Sequence, residues 1–431
     1  MFIASKILSK VVRLHRKRFS TIERRRAVLA ILVLISVFGS PLVAGETDDV
    51  EVGPGSDARA TVLSTGESII VFEADDADGD GVFAGRYDSA GSLIGSVFLV
   101  HDDPIGDQDE PDVVGLPNGD FVVVWRADGA AGASTIEARR FSATAVPLGP
   151  QARVDSGLGT ASDPRVGADA SARFTVVWIE AGGLAHRRFA SDGAPLDSEL
   201  VITTSGGAED PALGVLDSGE QLAVWVDGAD IFARRVDASG MFGGAAFLVN
   251  PPTIWERSEP SVTPTGDGAF LVAYSSEGQD GSGSGIFVRR VEQVAVGDEF
   301  QVNAVTFDEQ SQPSLDIETG GKILITWQSE GNADGDSAGI FGSFLRPTGQ
   351  PICPDAAINT VAAAAQRVSS VAGGDGRFLV TWQTEAAIPM PGQTPDLRAR
   401  IVLPPLFIDN FESGNLEAWS SSTAARSPGQ N

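Results

Sequence analysis

The chain is poor in the residues from which stapled folds and most catalytic sites are built. Of its 431 residues one is cysteine, Cys353, so no disulfide can form within the chain. Core burial must then hold the fold, which a chain of this length can supply. Cys353 lies between Ile352 and Pro354, at a repeat position filled elsewhere by Gly244, and reads as inert filler. Three residues are histidine, and beyond position 45 only His101 and His186 remain, at unrelated places. Each reads as a substitution in a strand, for Asn or for Ala. Neither a G-x-S-x-G elbow nor an H-E-x-x-H helix occurs, so nucleophilic and zinc-dependent hydrolysis lack a sequence signal. Acid pairs suited to glycoside cleavage cannot be singled out among the many acidic residues without geometry.

Positive charge is also scarce outside one segment. Nine basic residues fall in the first 26 positions, followed by an apolar run from Ala27 to Phe38 and then by small residues up to Gly45. Basic, apolar, then small is the order of a secretory signal peptide over residues 1–45, with an uncleaved signal anchor as the alternative. Export to the periplasm, the cell surface or the medium follows. The remainder carries 22 basic against 57 acidic residues, a net charge of −35, and its only lysine is Lys322. Such a surface repels nucleic acid and anionic lipid. Neither nucleic-acid binding nor membrane insertion after signal cleavage is expected. The surface suits cations or basic partners, or serves solubility alone.

What the chain does have is repetition. The runs SIIVF, FVVVW, FTVVW, QLAVW, FLVAY, ILITW and FLVTW end at Phe72, Trp125, Trp178, Trp225, Tyr274, Trp327 and Trp382, separated by 53, 53, 47, 49, 53 and 55 residues. Runs apolar at nearly every position predict strands buried on both faces. In five copies a proline (Pro111, Pro164, Pro211, Pro260, Pro313) stands fourteen residues before the aromatic and opens a preceding strand. A third strand recurs as IEARRF, LAHRRF, IFARRV and IFVRRV, and a fourth as FLVH, ARVD, LVIT, FLVN, FQVN and AAIN. Short links between consecutive strands make each unit an antiparallel meander. Seven such units arranged radially bury their faces on one another. The expected fold is therefore an all-β, seven-bladed β-propeller over residues 46–403, with a tail at 404–431. The last copy lacks a fourth strand. Residues 48–52 (DDVEV) are expected to supply it by pairing beside residues 397–402, which closes the ring.

The pattern P-x-V, G-x-F-V-V-x-W, G-I-F-x-R-R-F-D, F-x-V-N resembles a repeat of exported bacterial proteins, found in some large calcium-dependent surface adhesins. The WD dipeptide, the kelch register and the Asp boxes of propeller sialidases are missing. The segment at 407–421 resembles one that introduces a lectin-like sandwich in other exported proteins. Asp76, Asp78 and Asp80, with Gly81, space acidic oxygens at positions 1, 3 and 5 with glycine at 6, a pattern able to converge on a hard cation. This resembles the calcium hairpins of integrin-type propellers and implies Ca²⁺ within the blade. Asn332, Asp334 and Asp336 are a fainter echo. The plain alternative for both is a solvated hairpin turn. The Arg doublets on the third strand read as pairing between blades. Trp255 breaks the repeat in a connection between blades, where it either binds a ligand or packs on a neighbouring loop. The second-to-third-strand links and the links between blades must share one side of the disc, the long and acidic one, and binding is expected there. These features lead to an exported, non-enzymatic, monomeric binding or adhesion propeller for an extracellular protein or carbohydrate. The alternatives are a polysaccharide hydrolase or lyase, and a structural spacer of the envelope.

Overall fold

The computed structural model describes residues 49–76, 79–102, 105–129, 132–157, 159–293, 295–330, 338–360, 365–385 and 394–404. Residues 1–48, Asp78, residues 331–337 with Asn332, Asp334 and Asp336, and the tail at 405–431 lie outside them.

Within the described residues every sheet has four strands, and there are seven sheets. Each is an antiparallel meander, and together they form a seven-bladed β-propeller. The innermost strands are Ser56–Val62, Gln108–Gly115, Ala161–Ala168, Ala208–Val215, Arg257–Pro264, Gln310–Ile317 and Ala365–Gly374. The repeated apolar runs are the second strands. Their residues alternate between the two neighbouring blades, which is why both parities are apolar. Phe121, Val123 and Trp125 pack with Ile69 and Val71 of the blade before. Val122 and Val124 pack with Phe174, Val176 and Trp178 of the blade after. Trp125, Trp178, Trp225, Trp327 and Trp382 are all at most 1% exposed. They are core aromatics of the blade interfaces.

The ring closes as the sequence implies, two residues further along. The strand Val50–Pro54 pairs antiparallel with Asp396–Val402, Val50 opposite Ala399 and Glu51 opposite Arg398. First and last parts of the propeller thus share one sheet, and its open edge is removed.

The Arg doublets are two-way staples. The first guanidinium reaches back to a carbonyl on the preceding blade: Arg139 to Val100, Arg187 to Val154, and Arg234 to Ile202, each at 2.7 Å, and Arg289 to Val249 at 2.6 Å. Arg400 makes the same contact to Ile358. The second reaches forward to a turn of the following blade, as Arg140 does to Asp192 and Arg290 to Pro347. Arginine suits both tasks because its forked donors sit on a long apolar stem.

Candidate functional site at the acidic mouth of the central channel

The inner strands leave a channel of about 460 Å³ along the ring axis. Each inner strand has one edge facing this channel with no strand beside it, so its backbone groups need partners. Side chains of the preceding blade supply them. Glu73 Oε1 accepts the Glu110 amide at 2.6 Å, and Glu110 Oε2 accepts the Asp163 amide at 2.6 Å. Asp210 accepts from Glu259 at 3.4 Å, and Glu259 from Gln312 at 2.7 Å. Deeper in, Thr61 accepts from Gly115, Asp112 from Val166, Ser314 from Val371 and Asp316 from Gly373, at 2.8–3.0 Å.

The upper tier sits on a backbone irregularity. The register slips at the start of every inner strand, for example between Asp109 and Asp112 and between Ser162 and Arg165. At six of these bulges the residue before the proline position has a left-handed backbone: Asp57 (φ 45°), Glu110 (52°), Asp163 (52°), Asp210 (46°), Glu259 (56°) and Gln312 (54°). Such a backbone costs about 1–2 kcal/mol for a residue with a Cβ. At Glu110, Asp163 and Gln312 the bulge amide meets a side-chain acceptor of the preceding blade at 2.6–2.7 Å, and at Glu259 at 3.4 Å, which offsets that cost. Proline fits next because the bulged residues make no ladder bond. The prolines carried the sequence signal as strand openers. The acids in front of them carry a signal of the same kind, since Glu110-Pro111, Asp163-Pro164, Asp210-Pro211 and Glu259-Pro260 stand at one register.

Blade one makes its latch from the other strand. Glu259 is held by Ser275 of the second strand, whereas Glu73 on the second strand is approached by Ser56 of the inner strand. The two side chains exchange places and the amide bond to the next blade survives.

Burial of these carboxyls shows in their protonation. Burial first, then the neighbouring Asp57, pushes the Glu73 carboxyl up to about 7 against the pull of the Glu110 amide. Burial raises Asp109 to about 6 despite Arg126 beside it. Asp316 also rises to about 6 through burial, and Asp112 and Glu110 move the same way. Burial and the like charge of Arg165 depress Arg59. The channel is thus polar and mixed in charge, with Arg59, Asp112 and Arg165 on the first three blades and Asp210, Glu259 and Asp316 on the next three. Among its described lining residues none is His, Lys, Tyr or Cys.

The Asp76 carboxylate is buried and lies 3.6 Å from the His101 ring. Other blades place a neutral asparagine opposite the acid: the Asn250 amide donates to Asp230 at 2.7 Å and the Asn303 amide to Asp280 at 3.0 Å. Asp76 is therefore anchored at the strand-end junction of its blade. Asp80 is exposed, and its amide donates to the Asp107 carboxylate at 3.2 Å. Asp78 lies outside the described residues. Among the described residues no three His, Cys, Asp or Glu side chains are grouped to hold a metal. His186 is buried on its strand, 2.7 Å from Gln221, with its pKa lowered by burial.

The strand-end position is a capping site that the sequence showed only as a recurring Asn. Asp155, Asn250, Asn303 and Asn359 accept the amides of Ile136, Ile231, Ile286 and Ile340 at 2.7–2.9 Å. Asn303 and Asn359 also donate to Gln310 and Gln366, the buried first residues of the next blade's inner strand or its second. Trp255 is half-buried, its ring lying over Gly278, where a Cβ would come within 2.8 Å of it. It packs on the adjacent hairpin loop.

No protein-family model matches the chain, and no curated protein matches it in sequence. Solved structures do share its shape. A protein of unknown function from Dyadobacter fermentans is similar at 12% identity and a TM-score of 0.52, over 85% of this chain and all of that one. An ulvan lyase, of a polysaccharide lyase family and bound to a GlcA-containing saccharide, is similar at 8% identity and a TM-score of 0.57, over 85% of this chain and 98% of that one. At these identities the likeness is one of propeller fold.

Proposed function

We propose that this protein is an exported, non-enzymatic binding module of adhesion type that takes an extracellular protein or carbohydrate at the acidic mouth of its channel. One observation carries the proposal: carboxylates at the mouth, Glu73, Glu110, Asp210 and Glu259, are hydrogen-bonded to backbone amides of the next blade. Groups held this way frame an opening and give it negative charge. They are poorly placed to move toward a substrate, because each would abandon a strand edge. The mouth lies on the side of the links between blades, where long connections leave room for recognition.

The competing reading, an enzyme acting on polysaccharide, draws on the fold shared with the ulvan lyase and on the raised carboxyls of Glu73 and Asp109. A protonated carboxyl near neutral pH is what a general acid needs. The full chain incubated with neutral and uronic-acid polysaccharides separates the readings. Retention of a ligand without new reducing ends or unsaturated products supports binding. Chain scission that disappears in Glu73→Gln would replace the proposal with the enzyme. Neither retention nor scission on any saccharide or protein ligand would leave the structural spacer.

A further inference from the structure

Three links between blades present a large apolar side chain at one register, three residues before the inner strand begins. Ile105 is 68% exposed, Ile254 is 89% exposed and Phe307 is 51% exposed. Isolated exposed apolar residues are ordinary on any surface, but these recur by construction. The buried Gln108 amide donates to the carbonyls of Ile105 and Gly106 at 3.1 and 2.8 Å. The buried Gln310 amide donates to those of Phe307 and Asp308 at 2.8 and 3.3 Å. Arg257, buried at the same register, grips the Trp255 carbonyl and the Thr253 hydroxyl. The first residue of each following blade therefore pins the backbone of the link and leaves the apolar side chain pointing out. A surface ordered in advance loses little freedom on binding.

We infer that this rim is a docking surface for a basic protein segment with apolar side chains, centred on Ile254 and Phe307, whose links follow one another around the ring. The inference rests on the proposed function and names the partner class of the same face. Two observations choose the partner. Each apolar side chain has an exposed acid beside it, Asp107, Glu256 and Asp308 respectively, and the rim encloses the acidic channel mouth, so a partner rich in Lys or Arg is complementary. The exposed groups include two branched aliphatic chains, which fill protein pockets but offer no flat face to a sugar ring. Phe307 is the single ring among the three, and the larger ring of Trp255 is turned onto Gly278.

The test measures binding of the full chain to three synthetic peptides, alternating Lys with Leu, Lys with Ser, and Glu with Leu, and to neutral and uronic-acid polysaccharides. The Lys/Leu peptide should bind, the other two peptides should bind at least tenfold more weakly, and salt should weaken the complex. Ile254→Ser and Phe307→Ser should each weaken it about tenfold, as loss of an apolar anchor does, while Met241→Ser on the opposite face should change nothing. Equal effects of Met241→Ser, or no binding of the Lys/Leu peptide, would overturn the inference. Saccharide binding lost in Ile254→Ser or Phe307→Ser would overturn the protein partner yet keep the proposed function. Ligands retained only through the opposite face would overturn both.

Discussion

At the level of single residues, the acids of this chain serve mainly as backbone partners, and that use has a thermodynamic signature. Glu73 holds its proton up to about 7 when folded, against an ordinary 4.5. Between those values the folded chain binds more protons than the unfolded one. The stabilisation is complete below about pH 4.5 and is lost as the pH rises through 7. Asp109 and Asp316 add the same sign between 3.8 and about 6. The melting temperature should therefore fall from about pH 5 to about pH 8. Glu73→Gln keeps an acceptor for the Glu110 amide without the charge, so its fall should be shallower and its melting temperature at the alkaline end higher by a few degrees. A flat profile in the parent, or the same slope in the variant, would contradict this account. Nothing in the sequence distinguished Glu73 from other acids, because its partner amide lies 37 residues away on the next blade.

At the level of elements, the strands were legible and their irregularities were not. Periodicity and β-branched content located the second strands, and the strand Val50–Pro54 was anticipated from the missing fourth strand of the last copy. Deleting residues 46–54 should expose the edge of Asp396–Val402 and lower the melting temperature by about 10 °C, since several kcal/mol of pairing and burial are lost. Aggregation should accompany it. A truncated chain that melts like the parent would show that closure contributes nothing. The bulges are another matter. A left-handed residue before proline runs against local preference, and at Glu110, Asp163, Glu259 and Gln312 an acceptor on a neighbouring blade offsets it. The latches at Gln108, Gln310 and Arg257 reach only two to four residues back, but the burial that turns these side chains onto the link is set by the fold.

For the whole molecule, the calcium hairpin of the first blade is a proposal that heat denaturation decides. If Asp78 and Asp80 hold Ca²⁺ beside the anchored Asp76, chelation should lower the melting temperature by several degrees, because a ligand of the folded state alone stabilises it by mass action. Asp78→Ala should abolish the difference, and an unresponsive parent would remove calcium from the reading. The two Arg of each doublet matter at this scale as well, since staples running both ways round the disc tie every blade that carries them to both neighbours. By itself the amino-acid sequence determined the all-β class, the number of blades, the closure of the ring and the acidic surface. Repetition writes these many times over, and strand burial depends only on which residues are apolar. The tertiary structure alone decided which carboxylates face the channel, which amides they hold, that Asp76 adjoins His101, and that Trp255 lies down while Ile254 and Phe307 stand out. Most of those contacts join neighbouring blades, and their partners sit at sequence separations that no local pattern encodes.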